Sequence, residues 1–308
     1  MRQQARLIQA IGISSIFICS LSEADSVSLP PLALGNASFM DGVAGPGMLF
    51  ELPSQIYRSN SAHDAQGHSL PGTQKVRSTT VLPHFAYFSS STLLGANYGA
   101  EVLLPIVHLD LDIDQGPHGS RTRQGDMVIS PLLLQWAPRS VLGRPYWQRL
   151  NFVFSLPTGS YSADSDINTG SNVWVFNPHY VFTWELTDRL EVSGRFHYAW
   201  SSRNNDPASA LRAGSTQPGE AIHSNLAVSY AVSDTWRIGV AGYQLKQISD
   251  DRIDGHRQKD SREQVVGIGP GVMYRQGKKT LFANVYFENG AENRSEGTQL
   301  TLRYLHSF

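Results

Sequence analysis

Apolar and polar residues alternate along most of this chain with a period of two. Along Leu190 to Ser201, Leu190, Val192, Phe196, Tyr198 and Trp200 share one face with Gly194, while Glu191, Ser193, Arg195, His197 and Ser201 occupy the other. From Trp174 to Leu186 the even positions Trp174, Phe176, Pro178, Tyr180, Phe182, Trp184 and Leu186 oppose Asn177, His179, Thr183 and Glu185. Leu150, Phe152, Phe154 and Leu156 oppose Arg149, Asn151 and Ser155, and at the end of the chain Leu300, Leu302, Tyr304 and Phe308 oppose Thr301, Arg303 and Ser307, with His306 interrupting the apolar row. This spacing predicts β-strands with one face in an apolar medium and the other in a polar one.

Segments of roughly ten to fourteen residues of this kind are joined in turn by short links and long polar loops, the asymmetry of a membrane barrel. The short links are Ser90-Ser91-Thr92, Leu142-Gly143-Arg144-Pro145, Thr187-Asp188-Arg189, Ser233-Asp234-Thr235 and Gly277-Lys278-Lys279. The long ones run from Asn60 to Lys75, Gln115 to Gly125, Thr158 to Gly170, Asn204 to Pro218, Ser249 to Asp260 and Gly290 to Ser295. Six long loops predict twelve strands with both ends on one side; ten or fourteen also fit, because Val76 to Trp136 divides ambiguously. The expected fold is all-β: a transmembrane antiparallel up-and-down barrel with short periplasmic turns and long extracellular loops. A terminal strand ending on Phe308 would close it, with Tyr304 and Phe308 at the closure.

The amino terminus supports export. Met1-Arg2-Gln3-Gln4-Ala5-Arg6, an apolar run from Leu7 to Leu21 and then Ser22-Glu23-Ala24 make a secretory signal over 1–24. The single cysteine, Cys19, lies inside it, so the processed chain carries no thiol. Charged residues are 17% of the sequence, below the ~25% usual in soluble domains. No later run approaches the ~18 apolar residues of a spanning helix. In lipid the remaining solution is a closed barrel, since unpaired backbone groups are too costly there. A net charge of −1 gives no sign of a nucleic-acid partner. The expected partners are outer-membrane lipid and the barrel assembly machinery, with residence in the bacterial outer membrane. No cofactor is expected.

Three features depart from the simple rhythm. Gly267, Gly269 and Gly271 form a face of small residues beside Val265, read as a bend in the wall in preference to a close luminal contact. Asp110, Asp112 and Asp114 continue the phase that puts Ala100, Val102 and Leu104 outward. Either a bulge near Pro105 flips the faces or the strand has left the bilayer there. Their alternation with Leu111 and Ile113, and the lack of a Glu at the twelfth position, favour a solvated rim over a calcium loop, and no metal site is assigned. His118-Gly119-Ser120 brings a base near a hydroxyl, but in a Gly- and Arg-rich loop with no orienting partner; no G-x-S-x-G or H-E-x-x-H is present, and no catalytic residue is assigned.

Between the signal and the first strand, Leu29-Pro30-Pro31-Leu32-Ala33-Leu34-Gly35-Asn36-Ala37-Ser38-Phe39-Met40-Asp41-Gly42-Val43-Ala44-Gly45-Pro46-Gly47 resembles the opening of the outer-membrane family named for the meta-pathway of phenol degradation, most specifically over Asp41 to Gly47. The resemblance implies a secreted barrel that admits hydrophobic or aromatic small molecules passively; no binding residue carries over. The division expected is 25–46 as a periplasmic or luminal segment and 47–308 as the barrel. Too polar and Gly-rich to cross lipid, the segment 25–46 is either a luminal plug or a periplasmic tail.

The alternation puts Glu51, Gln55, Tyr57, Glu101, Arg149, His179, Glu185, Glu191, Arg195, His197, Arg237 and Arg303 on the luminal face. Arg195 is expected to pair with Glu185 or Glu191. Three functions are open: a non-enzymatic uptake channel for a small hydrophobic or aromatic solute, which leads through the resemblance; a structural or surface-interaction barrel; and a barrel hydrolase using Ser120 and His118.

Overall fold

Twelve antiparallel strands follow one another around a closed wall in the computed structural model, which describes residues 27–114 and 116–308. In chain order they are β1 (Gly47–His63), β2 (Gln74–Val81, continued by His84–Leu93), β3 (Ala96–Leu103, continued by Ile106–Ile113), β4 (His118–Gln124, continued by Val128–Val141), β5 (Arg144–Ser155) and β6 (Val175–Phe176, continued by His179–Glu185). Then come β7 (Leu190–Ser201), β8 (Ala221–Ala231), β9 (Trp236–Gln247), β10 (Gln264–Gln276), β11 (Lys279–Glu292) and β12 (Arg294–Ser307). The segment 1–24, expected to be a secretory signal, and Cys19 within it lie outside the described residues.

The last strand closes the wall against the first: Leu49 faces Ser307, Leu52 faces Tyr304, and the backbone N–H of Phe308 donates to Met48 O at 2.9 Å. Closure leaves no unpaired edge within the band that hydrocarbon would cover. Outward positions carry Phe85, Tyr87, Phe196, Ile238, Ile268 and Leu302, each at least 44% exposed. Inward positions combine polar side chains such as Asn225 and Thr301 with small residues and with apolar ones, Phe88, Tyr243, Leu245 and Met273 among them, that pack inside the barrel. A closed wall, greasy outside and polar within, makes this an outer-membrane barrel.

The short turns follow from backbone chemistry. Leu94 and Gly95 at φ 54° and 73°, and Leu142 and Gly143 at 51° and 76°, both take left-handed conformations. That pair matches the twist of two-residue hairpins. The first turn therefore sits at Leu94-Gly95, not at Ser90-Ser91-Thr92, because Gly95 supplies the conformation that the serines do not. Two expected loops are strand. His118–Gln124 pairs with Ile106–Ile113; being polar on both faces, it shows no period in sequence. Around Asn293 the chain turns at a corner, φ 52°. There β11 and β12 splay, Gln264 facing Glu292 while Arg294 faces His63.

Prolines interrupt three strands. Pro83 breaks β2, Pro105 breaks the adjacent β3 and Pro178 breaks β6, each removing a ladder donor. The breaks are stitched together by Leu82 N–H to Pro53 O at 2.9 Å, Leu104 N–H to Pro83 O at 3.0 Å and Gly125 N–H to Pro105 O at 2.9 Å.

The alternation does not flip at Pro105. Val107, Leu109, Leu111 and Ile113 stay inward, at most 2% exposed, and His108, Asp110 and Asp112 stay outward. Asp112 meets Lys75 at 3.0 Å and Asp110 meets Arg77 at 3.6 Å across the strands. A wall charged on its outer surface stands clear of hydrocarbon.

Candidate functional site: a luminal cavity behind an inward-folded segment

Residues 27–46 run down the inside of the barrel from the long-loop end to the start of β1. Leu29, Leu32, Leu34 and Phe39 are at most 5% exposed and pack with Ala227, Ala241, Tyr243, Met273, Phe282 and Tyr286 of the wall. The periplasmic-tail alternative does not describe this path. The small residues on β8 to β10 are what make room for the segment. A Cβ at Gly271 would press on the Asn284 amide and lie 2.9 Å from Phe39 Cζ, and one at Gly267 would press on the Tyr243 ring. The glycine face is thus a luminal contact surface and not the bend expected.

Polar wall residues bind the backbone of this segment at successive heights. Leu29 N–H donates to Glu263 at 2.8 Å and Gly35 N–H to Asn225 Oδ1 at 2.7 Å. Leu34 O accepts from Gln55 at 2.9 Å and Gln299 at 3.1 Å; Asn36 O accepts from Arg303 at 2.6 Å. Lower down, Gly42 N–H donates to Thr183 Oγ1 at 2.8 Å and its carbonyl accepts from Gln135 at 3.1 Å. Buried backbone groups need such partners, and a loop without internal ladder bonds can find them only on the wall. The strongest tie is ionic, a bidentate contact between Arg195 and Asp41.

Between this segment and the wall lies a cavity of about 770 Å³. It reaches from the short-turn end, bordered by Gly277, Lys278 and Phe308, up to Asp126, Ser155 and Val175 near the strand breaks. One side is apolar, with Ala86, Phe88, Leu103, Val128 and Val153. The other is a polar belt. His84 lies 3.1 Å from Glu51 through Nδ1 and 3.1 Å from Glu101 through Nε2, Arg303 reaches Glu51 at 3.1 Å, and Asn151 donates to Glu101 at 2.9 Å. An imidazole that donates from both nitrogens is the imidazolium.

The twelve luminal residues expected from the alternation all point inward, but they divide into two groups. Glu51, Glu101, Arg149, His179, Arg195, His197 and Arg303 border the cavity. The others brace the fold. Gln55 holds the inward segment. Tyr57 donates to Glu288 at 2.8 Å, Glu185 accepts from Trp147 at 3.0 Å, and Arg237 donates to Ser229 at 2.9 Å. Glu191 accepts from Ser193 at 2.6 Å and Ser229 at 2.5 Å.

Arg195 pairs with neither Glu185 nor Glu191. Four positions along one strand separate Glu191 from Arg195 by ~13 Å, whereas the inward segment brings Asp41 to the guanidinium. Asp41 itself, His84, Asn151 and Gln135 are cavity residues that the alternation did not single out. For Asp41 the signal was present, since it opens the most specific part of the family-like motif. The phase of His84 is hidden by the break at Pro83.

The remaining candidates lie elsewhere. The acidic row is on the outer surface. His118 and Ser120 are exposed on β4 and border no cavity; His118 Nδ1 is 3.2 Å from Asp112.

The class defined by this geometry is an outer-membrane barrel whose lumen is occupied by its own amino-terminal segment. The family model described as "Putative MetA-pathway of phenol degradation" matches residues 59–304, and the chain belongs to that family. Among solved structures it is similar to an outer membrane channel from Pseudomonas putida F1, with 18% identity over 86% of this chain and 97% of that one and a TM-score of 0.76, which shows the shared barrel fold. The TodX monoaromatic hydrocarbon channel, as a deletion mutant, matches with 11% identity over 87% and 92% of the two chains and a TM-score of 0.43. The NanC porin matches with 12% identity over 84% and 98%, TM-score 0.44. No curated protein matches the chain.

Proposed function

We propose that the chain is a passive outer-membrane channel for small hydrophobic or aromatic molecules, with residues 27–46 as the obstruction that keeps it closed at rest. The observation that carries this reading is the cavity of about 770 Å³ between the barrel wall and the inward segment, with an apolar side and a polar belt. A lined apolar cavity of ~150 Å³ already accommodates a benzene ring, so a substituted aromatic fits with room to turn. The family description points to the same class of solute. A barrel of this width would leak if empty, and a segment held by side-chain hydrogen bonds, with no ladder bonds to the wall strands, can shift without unzipping the sheet. The solute crosses unchanged, and no catalytic step is part of this reading. Phe308, ending the strand that seals the wall, is the feature the assembly machinery would engage.

Uptake of toluene, phenol and an alkane into liposomes carrying the full-length protein tests the reading, alongside a variant lacking 27–39. The expected result is solute entry that rises in the deletion variant, together with conductance in planar bilayers. Liposomes no more permeable than protein-free ones, to every solute, would overturn the channel. Identical conductance with and without 27–39 would overturn the plug.

A further inference from the structure

Within the polar belt of the cavity one guanidinium stands outside the ion pairs. Asp41 is paired with Arg195 and Glu51 with Arg303, and His84 sits between Glu51 and Glu101. Arg149 remains. It is 8% exposed, borders the cavity and makes no ion pair among the described residues. Its Nε donates to Asn151 Oδ1 at 3.0 Å and its Nη1 reaches Gln135 Oε1 at 3.4 Å, both neutral acceptors, while Nη2 makes no hydrogen bond to a described residue. On the adjacent strand His179, 6% exposed and also bordering the cavity, has a buried Nδ1 without a partner. Asp41, Glu51 and Glu101 act on this guanidinium only from beyond ion-pair distance, and a buried guanidinium hydrogen-bonded to amides alone is costly to desolvate unless an anion comes into direct contact. A planar guanidinium with an open edge is the group that takes a carboxylate in a matched geometry.

We infer that this cavity is a binding site for an organic monocarboxylate with an apolar body, aromatic or aliphatic, its carboxylate on Arg149 beside His179 and its body against Phe88, Leu103, Val128 and Val153. The inference rests on the channel reading and narrows its solute class. The two sides supply the two halves of such a ligand, and a neutral hydrocarbon would leave Arg149 without a direct ionic contact.

Trp136 and Trp147 border the cavity and report binding by fluorescence. The experiment titrates full-length protein in detergent with benzoate, octanoate and the neutral isostere benzyl alcohol at fixed ionic strength, and repeats it with Arg149→Gln and Arg149→Lys. At least one carboxylate is expected to bind roughly tenfold or more tighter than benzyl alcohol, with the advantage lost in Arg149→Gln and partly kept in Arg149→Lys. Benzoate against octanoate tells an aromatic from an aliphatic site. Equal affinity for carboxylates and benzyl alcohol, or carboxylate affinity unchanged in Arg149→Gln, overturns the inference. Should the variants not fold, the comparison on the wild-type protein decides alone. Liposome entry of benzyl alcohol and toluene separates the two readings: entry without a carboxylate preference sinks only this inference, whereas no entry of any probe sinks the channel as well.

Discussion

Arg195 on β7 grips Asp41 of the inward segment through two parallel hydrogen bonds, Nε to Oδ2 at 2.9 Å and Nη2 to Oδ1 at 2.7 Å. The two side chains are 17% and 9% exposed, so water screens the pair little. Near the lower end of the segment, where it turns toward β1, this is the contact most able to decide whether the chain stays against the wall.

Removing one partner of a buried pair costs about 3–5 kcal/mol because the other charge is stranded. Asp41→Asn and Arg195→Gln should each loosen the segment and raise single-channel conductance while the barrel stays folded, as judged by its heat-modifiable band on a gel. Arg195→Lys should rescue little, since an ammonium cannot reproduce the fork. Wild-type conductance in both single variants would show that the pair does not hold the segment.

The glycine face offers an independent handle on the same contact. Gly271→Val would drive a methyl group against Asn284 and Phe39, and Gly267→Val one against the Tyr243 ring, whose hydroxyl donates to Glu288 at 2.9 Å. Overpacking of this kind costs about 1–3 kcal/mol. Both variants should melt earlier than the wild type, and the Gly271 variant, which displaces Phe39, should also conduct more. If both melt with the wild type, the glycines serve only to bend the wall.

In the roof of long loops, Asp251 is fully buried; its Oδ1 accepts from Gly219 N–H at 2.7 Å and Gln247 at 2.6 Å, while Oδ2 has no partner. Burial above all, helped by the charges of Glu263 and Asp250, pushes its carboxyl well above the ordinary 3.8 in spite of those bonds. The folded protein therefore holds a proton that the unfolded chain has already released. Stability is full below the ordinary carboxylate value and falls as pH rises from there through the raised one. Hydrogen exchange across 248–263 should accelerate over that window, and Asp251→Asn should flatten the dependence. An unchanged pH profile in Asp251→Asn would assign the effect to another group.

The outer acidic row should matter little. Lys75 with Asp112 and Arg77 with Asp110 are about half exposed at 46% and 50%, 59% and 37%, and pairs of this sort are worth ~0–1 kcal/mol. Asp110→Ala and Asp112→Ala are expected to shift melting hardly at all and less still in high salt. Calcium should leave the melting of the wild type where it is. A large calcium-dependent stabilisation lost in these variants would make the row a cation site.

Much of this molecule was legible in its residues. The rows Leu190 to Ser201 and Trp174 to Leu186 announced strands, their facing, and the medium on each side, because side chains alternate strictly along an extended backbone and that rule is local. Six loops and five turns announced twelve strands, and Phe308 announced the closure. The turn at Leu94-Gly95 and the strand His118–Gln124 were misplaced where local signals were weak, a serine run in one case and a strand polar on both faces in the other.

Tertiary structure alone decided what the inward residues do. Alternation says that Arg149, Arg195, Glu191 and Tyr57 point into the barrel, but not which of them meets a carboxylate, a hydroxyl or open space. That choice depends on the stagger between strands far apart in sequence and on where residues 27–46 pass. Asp41 reaches Arg195 across 154 positions of chain, and the same packing gives Arg149 amide partners and no ion pair among the described residues. A period of two carries direction; the identity of a partner is set by the closed wall and the segment threaded through it.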